Sequence, residues 1–208
     1  GAGGSGLSAA VTLHGLGREV VVLEKMPMIG GNTVRAEGGI NAAETPQQKK
    51  AGIPDTIDQF YADTMKGGHN LNDPALVRTL TTHVKDAVAW LVSLGADLNT
   101  VGRAGGAKYP RAHRPTDGSA IGPEVIRVLW KAAKDRKMDV RTQTRATEII
   151  MKDGRVAGVK ATTKDGKVYT IDAKAVVLAT GGFGASQDML VKYQPKLKGY
   201  ATTNQPGA

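Results

Sequence analysis

The stretch Gly1-Ala2-Gly3-Gly4-Ser5-Gly6 runs directly into Leu7-Ser8-Ala9-Ala10-Val11-Thr12-Leu13. After a break at Gly15 and Gly17 comes Glu19-Val20-Val21-Val22-Leu23, closed by Glu24. The glycines stand as G-x-G-x-x-G, ahead of a small-residue apolar helix and a valine-rich strand with an acid at its tip. Each glycine has a physical task. Gly1 permits the tight turn, Gly3 lets a pyrophosphate approach the backbone, and Gly6 lets helix and strand pack closely. The helix start, with Ser5 beside it, offers unpaired N–H groups and a partial positive charge to phosphates. Glu24 suits the hydroxyls of a ribose. The fingerprint ordinarily follows a buried strand, so an α/β, Rossmann-like domain is expected whose first strand lies outside this sequence.

Working outward, Lys25 leads to Gly30-Gly31-Asn32-Thr33 and then Gly38-Gly39-Ile40-Asn41. Glycine pairs beyond a nucleotide site suggest backbone lying against a large ligand. A nicotinamide fold does not need this extension, whereas a flavin fold does. Residues 46–54 read as a surface loop. A helix is expected over 56–65 and stopped by Gly67-Gly68. A second begins with Asp73 as N-cap and Pro74 at its first position, and its apolar face is Leu76, Leu80, Val84, Val88 and Leu91. Residues 96–122 read as a long loop carrying Arg103, His113 and Arg114. For His113 a backbone-bonded structural histidine outweighs a proton donor or anion ligand. Pro123-Glu124 opens a further helix to about Arg136. Residues 140–151, 156–161 and 168–171 read as three strands joined by hairpin turns at Asp153-Gly154 and Asp165-Gly166, an inserted antiparallel β-meander. Residues 175–183, through Thr180-Gly181-Gly182, read as a buried parallel strand returning to the central sheet. Ser186 caps a last helix.

The bulk composition narrows the classes. With 40% hydrophobic and 23% charged residues the chain is globular rather than disordered. It has no cysteine, which excludes disulfides, thiolate metal sites and a cysteine nucleophile in this stretch. The net charge of +9 is scattered, and aromatics are only 4%. Nucleic-acid binding, which wants a basic stripe with stacking aromatics, ranks low. No apolar run is long enough to span a bilayer.

Taken together, these blocks resemble the FAD-binding part of the fumarate reductase/succinate dehydrogenase flavoprotein family, and above all its soluble periplasmic flavocytochrome c and urocanate reductase branches. The carrying residues are Gly1 to Gly6, Leu23-Glu24-Lys25, Gly30 to Thr33, Gly38 to Thr45, Asp63 to Gly68, His113 to Thr116 and Ala179 to Phe183. The resemblance implies a partial FAD-binding domain over 1–208, with the cap domain and C-terminal part elsewhere. It implies that Gly1, Gly3, Ser5 and Gly6 hold the pyrophosphate, and that Glu24 with Lys25 meets the adenosine. Asn32, Thr33, Gly38 and Gly39 would lie along the flavin half. The backbone of Ala146 would meet the adenine, and Thr180, Gly181 and Gly182 would pack near the cofactor. It further implies hydride transfer to the C=C bond of an unsaturated carboxylate such as fumarate, a haem or flavin electron donor, and a periplasmic location. The catalytic arginine and the substrate clamps would lie beyond Ala208, so the stretch alone is expected to be inactive. Ala104 stands where fumarate reductases carry an apolar methionine, which leaves room for urocanate or another enoate. A nicotinamide-dependent dehydrogenase and a non-catalytic flavin-binding fragment are the competing readings.

Overall fold

The computed structural model describes residues Gly1–Gly207. The chain forms two compact units, one of residues 1–35 with 129 onward, the other Ala36–Val128.

In the first unit the fingerprint runs into helix α1 (Gly4–Gly15), which buries Gly6, Leu7, Ala10 and Val11. Strand β1 (Val21–Leu23) follows, packed on α1 and paired in parallel with β5 (Asp139–Arg141), Val22 opposite Val140. A second parallel bridge joins Gly3 to Gly30, where the Gly30 amide donates to the Ala2 carbonyl at 2.8 Å. The parallel sheet is therefore real but narrow. The meander follows as β6 (Thr144–Lys152), β7 (Arg155–Thr163) and β8 (Val168–Asp172), all antiparallel. Its first turn holds Asp153 at φ 50° and Gly154 at φ 74°, the mirror-image turn that Asp-Gly favours. Ser186 caps α6 (Gln187–Tyr193), accepting from the Met189 amide.

The expected strand over 140–151 is interrupted. The chain bends at Thr142-Gln143, with Gln143 at φ 50°, so its first part joins β1 and its second joins β7. The expected buried strand over 175–183 is not a strand. It is unpaired, with Val177 59% and Leu178 69% exposed. A strand needs a hydrogen-bonding neighbour, and no described segment supplies one. The narrow sheet and the meander nonetheless keep the expected α/β class.

The second unit is built on α3 (Ile57–Gly67) and α4 (Pro74–Ser93), packed together, with Thr56 and Asp73 as N-caps. On α4 the buried face is Val77, Thr81, Val88 and Leu91 rather than the expected line through Leu76 and Leu80, which are 70% and 53% exposed. Steps of four residues drift about 40° each around a helix, whereas alternating fours and threes hold one face. The Thr81 hydroxyl joins that face by bonding the Arg78 carbonyl at 3.3 Å.

Residues 46–50, expected as loop, form α2 (Pro46–Lys50). Thr45 and Gln48 make a reciprocal capping box, and Gln48 is buried. The expected loop over 96–122 is likewise partly sheet. Strand β4 (Ala112–Arg114) lies between β2 (Ile40–Asn41) and β3 (Thr100–Gly102). Helix α5 (Ile121–Asp135) starts two residues ahead of Pro123 and buries Ile121, Ile126, Val128, Leu129, Ala132 and Ala133. No described helix is long and apolar enough to cross a membrane.

Candidate functional site

The first turn of α1 is a set of backbone donors, with Ser5 exposed and Gly6 buried. Its N-cap, Gly3, has extended geometry and no side chain to cap the helix, and no acidic residue lies in the first turn. Thr33 Oγ1 takes the Gly4 amide at 3.0 Å. Among the described residues, the amides of Ser5 and Gly6 have no protein acceptor. Orphan donors at the positive end of a 12-residue helix attract an anion.

The three glycines are required for different reasons. A Cβ on Gly6 would stand 1.9 Å from the Gly1 carbonyl oxygen, and one on Gly1 would stand 2.3 Å from the Ala179 oxygen. Both are demands of the chain on itself. A Cβ on Gly3 would meet nothing nearer than the Gly30 oxygen at 3.5 Å, an ordinary contact. The bare backbone at Gly3 keeps space clear for something other than protein, which fits a bound pyrophosphate. Gly3→Ala is therefore expected to leave the melting temperature of the flavin-free protein within about 2 °C of wild type. Its FAD affinity is expected to fall at least tenfold, about 1.4 kcal/mol, as read by flavin fluorescence titration.

Glu24 is only 7% exposed. Its two carboxylate oxygens accept the Ala2 and Met26 amides, each at 2.8 Å. It thus ties the tip of β1 to the glycine turn, while each oxygen keeps a lone pair for a further donor. Ala2 and Gly30, which hold the turn to the following loop, are not among the residues the sequence assigns to the cofactor. The available signal was the Gly30-Gly31 pair, at φ 111° and 50°.

Gly1, Gly3, Gly6, Glu24 and Thr33 thus form one cluster, and a Cβ on Gly1 would stand 3.5 Å from the Thr180 Cα. Ser5 is exposed on the helix start and Lys25 is exposed beside Glu24. Asn32 spends its side chain on Asn204 and Gln205. Gly181, at φ 72°, and Gly182 are exposed on the unpaired segment. Ala146 is exposed on β6 opposite Ala161, next to an irregularity in the ladder. Gly38 and Gly39 belong to the second unit, where a Cβ on Gly39 would stand 2.9 Å from the His113 oxygen.

Arg103, His113 and Arg114 of the 96–122 stretch bond to protein groups. The Arg114 guanidinium donates to the Gly38 and Glu37 carbonyls, and Arg103 donates to the Ala107 carbonyl. His113 is fully buried, with Nδ1 2.9 Å from the Arg111 oxygen and 3.1 Å from the Ile40 oxygen. Two carbonyls require Nδ1 to carry the proton, so in the neutral ring Nε2 accepts from Thr45 Oγ1 at 2.8 Å. The structural reading of this histidine holds. Burial keeps its pKa below the ordinary histidine value, against the pull of the two carbonyls. The unfolded chain then binds the proton first, and stability falls as pH drops below about 6.5, by up to ~1.4 kcal/mol per pH unit. Melting temperatures between pH 7.5 and 5.5 are expected to fall more steeply for wild type than for His113→Gln.

A family described as "FAD binding domain" matches residues 1–208. The chain is 47% identical to a fumarate reductase (cytochrome) of Shewanella frigidimarina, covering all of this chain and 37% of the relative. It is 36% identical to a urocanate reductase of Eggerthella lenta, over 95% of this chain and 33% of that one. A solved flavocytochrome c3 fumarate reductase in its open conformation superposes with a TM-score of 0.95 at 40% identity, over 100% of this chain and 37% of that one. The chain thus spans about a third of the length of these relatives. A match along the whole chain, on a turn whose glycines and orphan amides suit a dinucleotide, shows the family: the chain belongs to the FAD binding domain family, and its cofactor is FAD.

Proposed function

We propose that this chain is the nucleotide-holding part of a flavoprotein that reduces the C=C bond of a small unsaturated carboxylate such as fumarate. The observation that carries this reading is the 47% identity to a fumarate reductase along the chain's whole length. The free amides of Ser5 and Gly6 at an uncapped helix start support it. Those amides and the bare Gly3 hold the pyrophosphate. Glu24, already fixed by two backbone donors, uses its remaining lone pairs on the ribose, with Lys25 at the rim. Thr33 holds the first turn of α1 in place. The Ala146 backbone meets the adenine, Gly38 and Gly39 lie along the flavin half, and Thr180 to Gly182 pack near the cofactor. Reduced FAD supplies a hydride at N5. The proton donor and the groups that clamp the substrate's carboxylates come from parts of the protein outside residues 1–208. A haem or flavin domain or partner supplies the electrons, and the setting is periplasmic.

The test uses the full-length protein with chemically reduced viologen as donor. Oxidation of the dye is expected on adding fumarate. Urocanate is the second substrate to try, because Ala104 replaces the bulkier apolar residue expected there. A protein that carries flavin but oxidises the dye with neither acid would sink the substrate assignment. One that takes up no flavin would sink the whole reading.

A further inference from the structure

The turn that follows the glycine fingerprint serves two partners at once. It is a single 3-10 stretch, Gly31–Arg35. Thr33 reaches one way, to the Gly4 amide at the start of α1. Asn32, one residue earlier, reaches the other way. Its Oδ1 accepts the Gln205 amide at 2.6 Å, and its Nδ2 donates to Asn204 Oδ1 at 2.9 Å. The Asn204 side chain is held in turn by Thr202, whose Oγ1 accepts the Asn204 Nδ2 at 2.8 Å and the Asn204 amide at 3.1 Å. Arg35 adds a bond to the Gln205 side chain. Two close approaches fit this seat. A Cβ on Gly184 would stand 2.1 Å from Asn204 Nδ2, and one on Gly207 would stand 2.6 Å from Met26 Sδ and 3.4 Å from Lys25 Cε. Residues 202–207 therefore lie from the 3-10 turn to the residues just after Glu24.

We propose that Asn32 is a positioning residue. Its side chain latches residues 202–205 onto the turn whose next residue holds the anion-binding start of α1. With Oδ1 and Nδ2 each bonded to residues 204–205, it acts on FAD through that segment. Latching 202–207 closes the cradle beside Lys25 and Met26, and it fixes the turn from which Thr33 orients the Gly4 amide. This inference rests on the chain holding FAD.

The test compares full-length wild type, Asn32→Ala, Asn204→Ala and the double variant, by amide hydrogen exchange without flavin and by FAD titration. Asn32→Ala is expected to speed exchange across 202–207 and to weaken FAD binding about tenfold, the worth of one or two hydrogen bonds. Asn204→Ala is expected to do the same, and the double variant to add little to either. Asn32→Asp, which keeps the acceptor for the Gln205 amide, is expected to recover part of the protection. If FAD weakens while exchange at 202–207 stays at the wild-type rate, Asn32 meets the cofactor directly and the latch is overturned. Faster exchange with unchanged FAD affinity overturns the positioning role. If Asn32→Ala does not fold, Asn204→Ala and Asn32→Asp decide by the same two readouts. A full-length protein that takes up no flavin overturns the proposed function instead, and the exchange measurement still tests the latch.

Discussion

Gly6→Ala is expected to cost the full-length protein about 3 kcal/mol, the upper end of what an inserted methyl costs in a packed site. It is also expected to yield protein largely free of flavin. The added Cβ would stand 1.9 Å from the Gly1 carbonyl oxygen and 3.3 Å from the Ala179 Cβ. A backbone carbonyl cannot swing aside as the end of a long side chain can. Either α1 slides along its axis or the glycine turn opens. Both movements displace the free amides of Ser5 and Gly6 that make the anion cradle. The urea midpoint of the flavin-free protein and the flavin content as purified measure the two losses. Gly15→Ala is the control in the same helix. A Cβ there meets nothing within 4 Å. This change is expected to leave flavin content unchanged and to stabilise by up to about 1 kcal/mol, the helix preference of alanine over glycine. Equal damage from both substitutions would mean that close packing at Gly6 is not what the fingerprint requires.

Asp55→Ala is expected to destabilise by about 3–5 kcal/mol, the cost of leaving a buried charge without its partner. Arg111 is 2% exposed, and its Nη2 donates to Asp55 at 2.9 Å and to Asp63 at 2.8 Å. The other Asp55 oxygen accepts from Gln48 Nε2 at 3.0 Å, and Gln48 donates also to the Pro110 carbonyl at 2.7 Å. The Phe60 ring lies 4.7 Å from the guanidinium carbon. Removing Asp55 strips a partner from both Arg111 and Gln48, so α2, α3 and the approach to β4 loosen together. Arg111→Lys is expected to cost less, because both ion pairs run through the one nitrogen Nη2 and an ammonium can donate to two carboxylates, but it still loses the flat guanidinium against the Phe60 ring. Asp58→Ala is the contrast. Asp58 pairs with Arg78 in water, with the two side chains 87% and 45% exposed, and its loss is expected to leave the urea midpoint unmoved. A midpoint for Asp55→Ala as unmoved as that of Asp58→Ala would show that the buried triad adds no stability.

Part of this molecule was legible because its rules are short-range. The caps at Asp73 and Ser186 each bond an amide two or three residues on. The Asp153-Gly154 turn needs only two residues able to adopt positive φ. Other elements are decided at a distance. The strands β2, β3 and β4 are two or three residues long, and Ile40 pairs with His113 across more than seventy positions. No local period can mark such a strand. Helix α2 is polar after Pro46, and its anchor, Gln48, is buried because Asp55 and Pro110 receive its amide. Residues 175–179 carry the apolar run of a buried strand, yet a run of valines cannot supply the neighbour that a ladder needs.

The sequence by itself determined the glycine turn, the helix that begins on it and the acid at the tip of β1. Each follows from local sterics and helix-end electrostatics over some twenty-five residues. The tertiary structure alone decided which polar groups are available for chemistry. Ser5 and Gly6 keep their amides free, while the side chains of His113, Arg114 and Asn32 are bonded to protein. The physical reason is that a hydrogen-bonding group is available only when no partner claims it. Apart from the Arg111 carbonyl beside His113, these partners are distant: Thr45 is 68, Gly38 76 and Gln205 173 residues away in the chain.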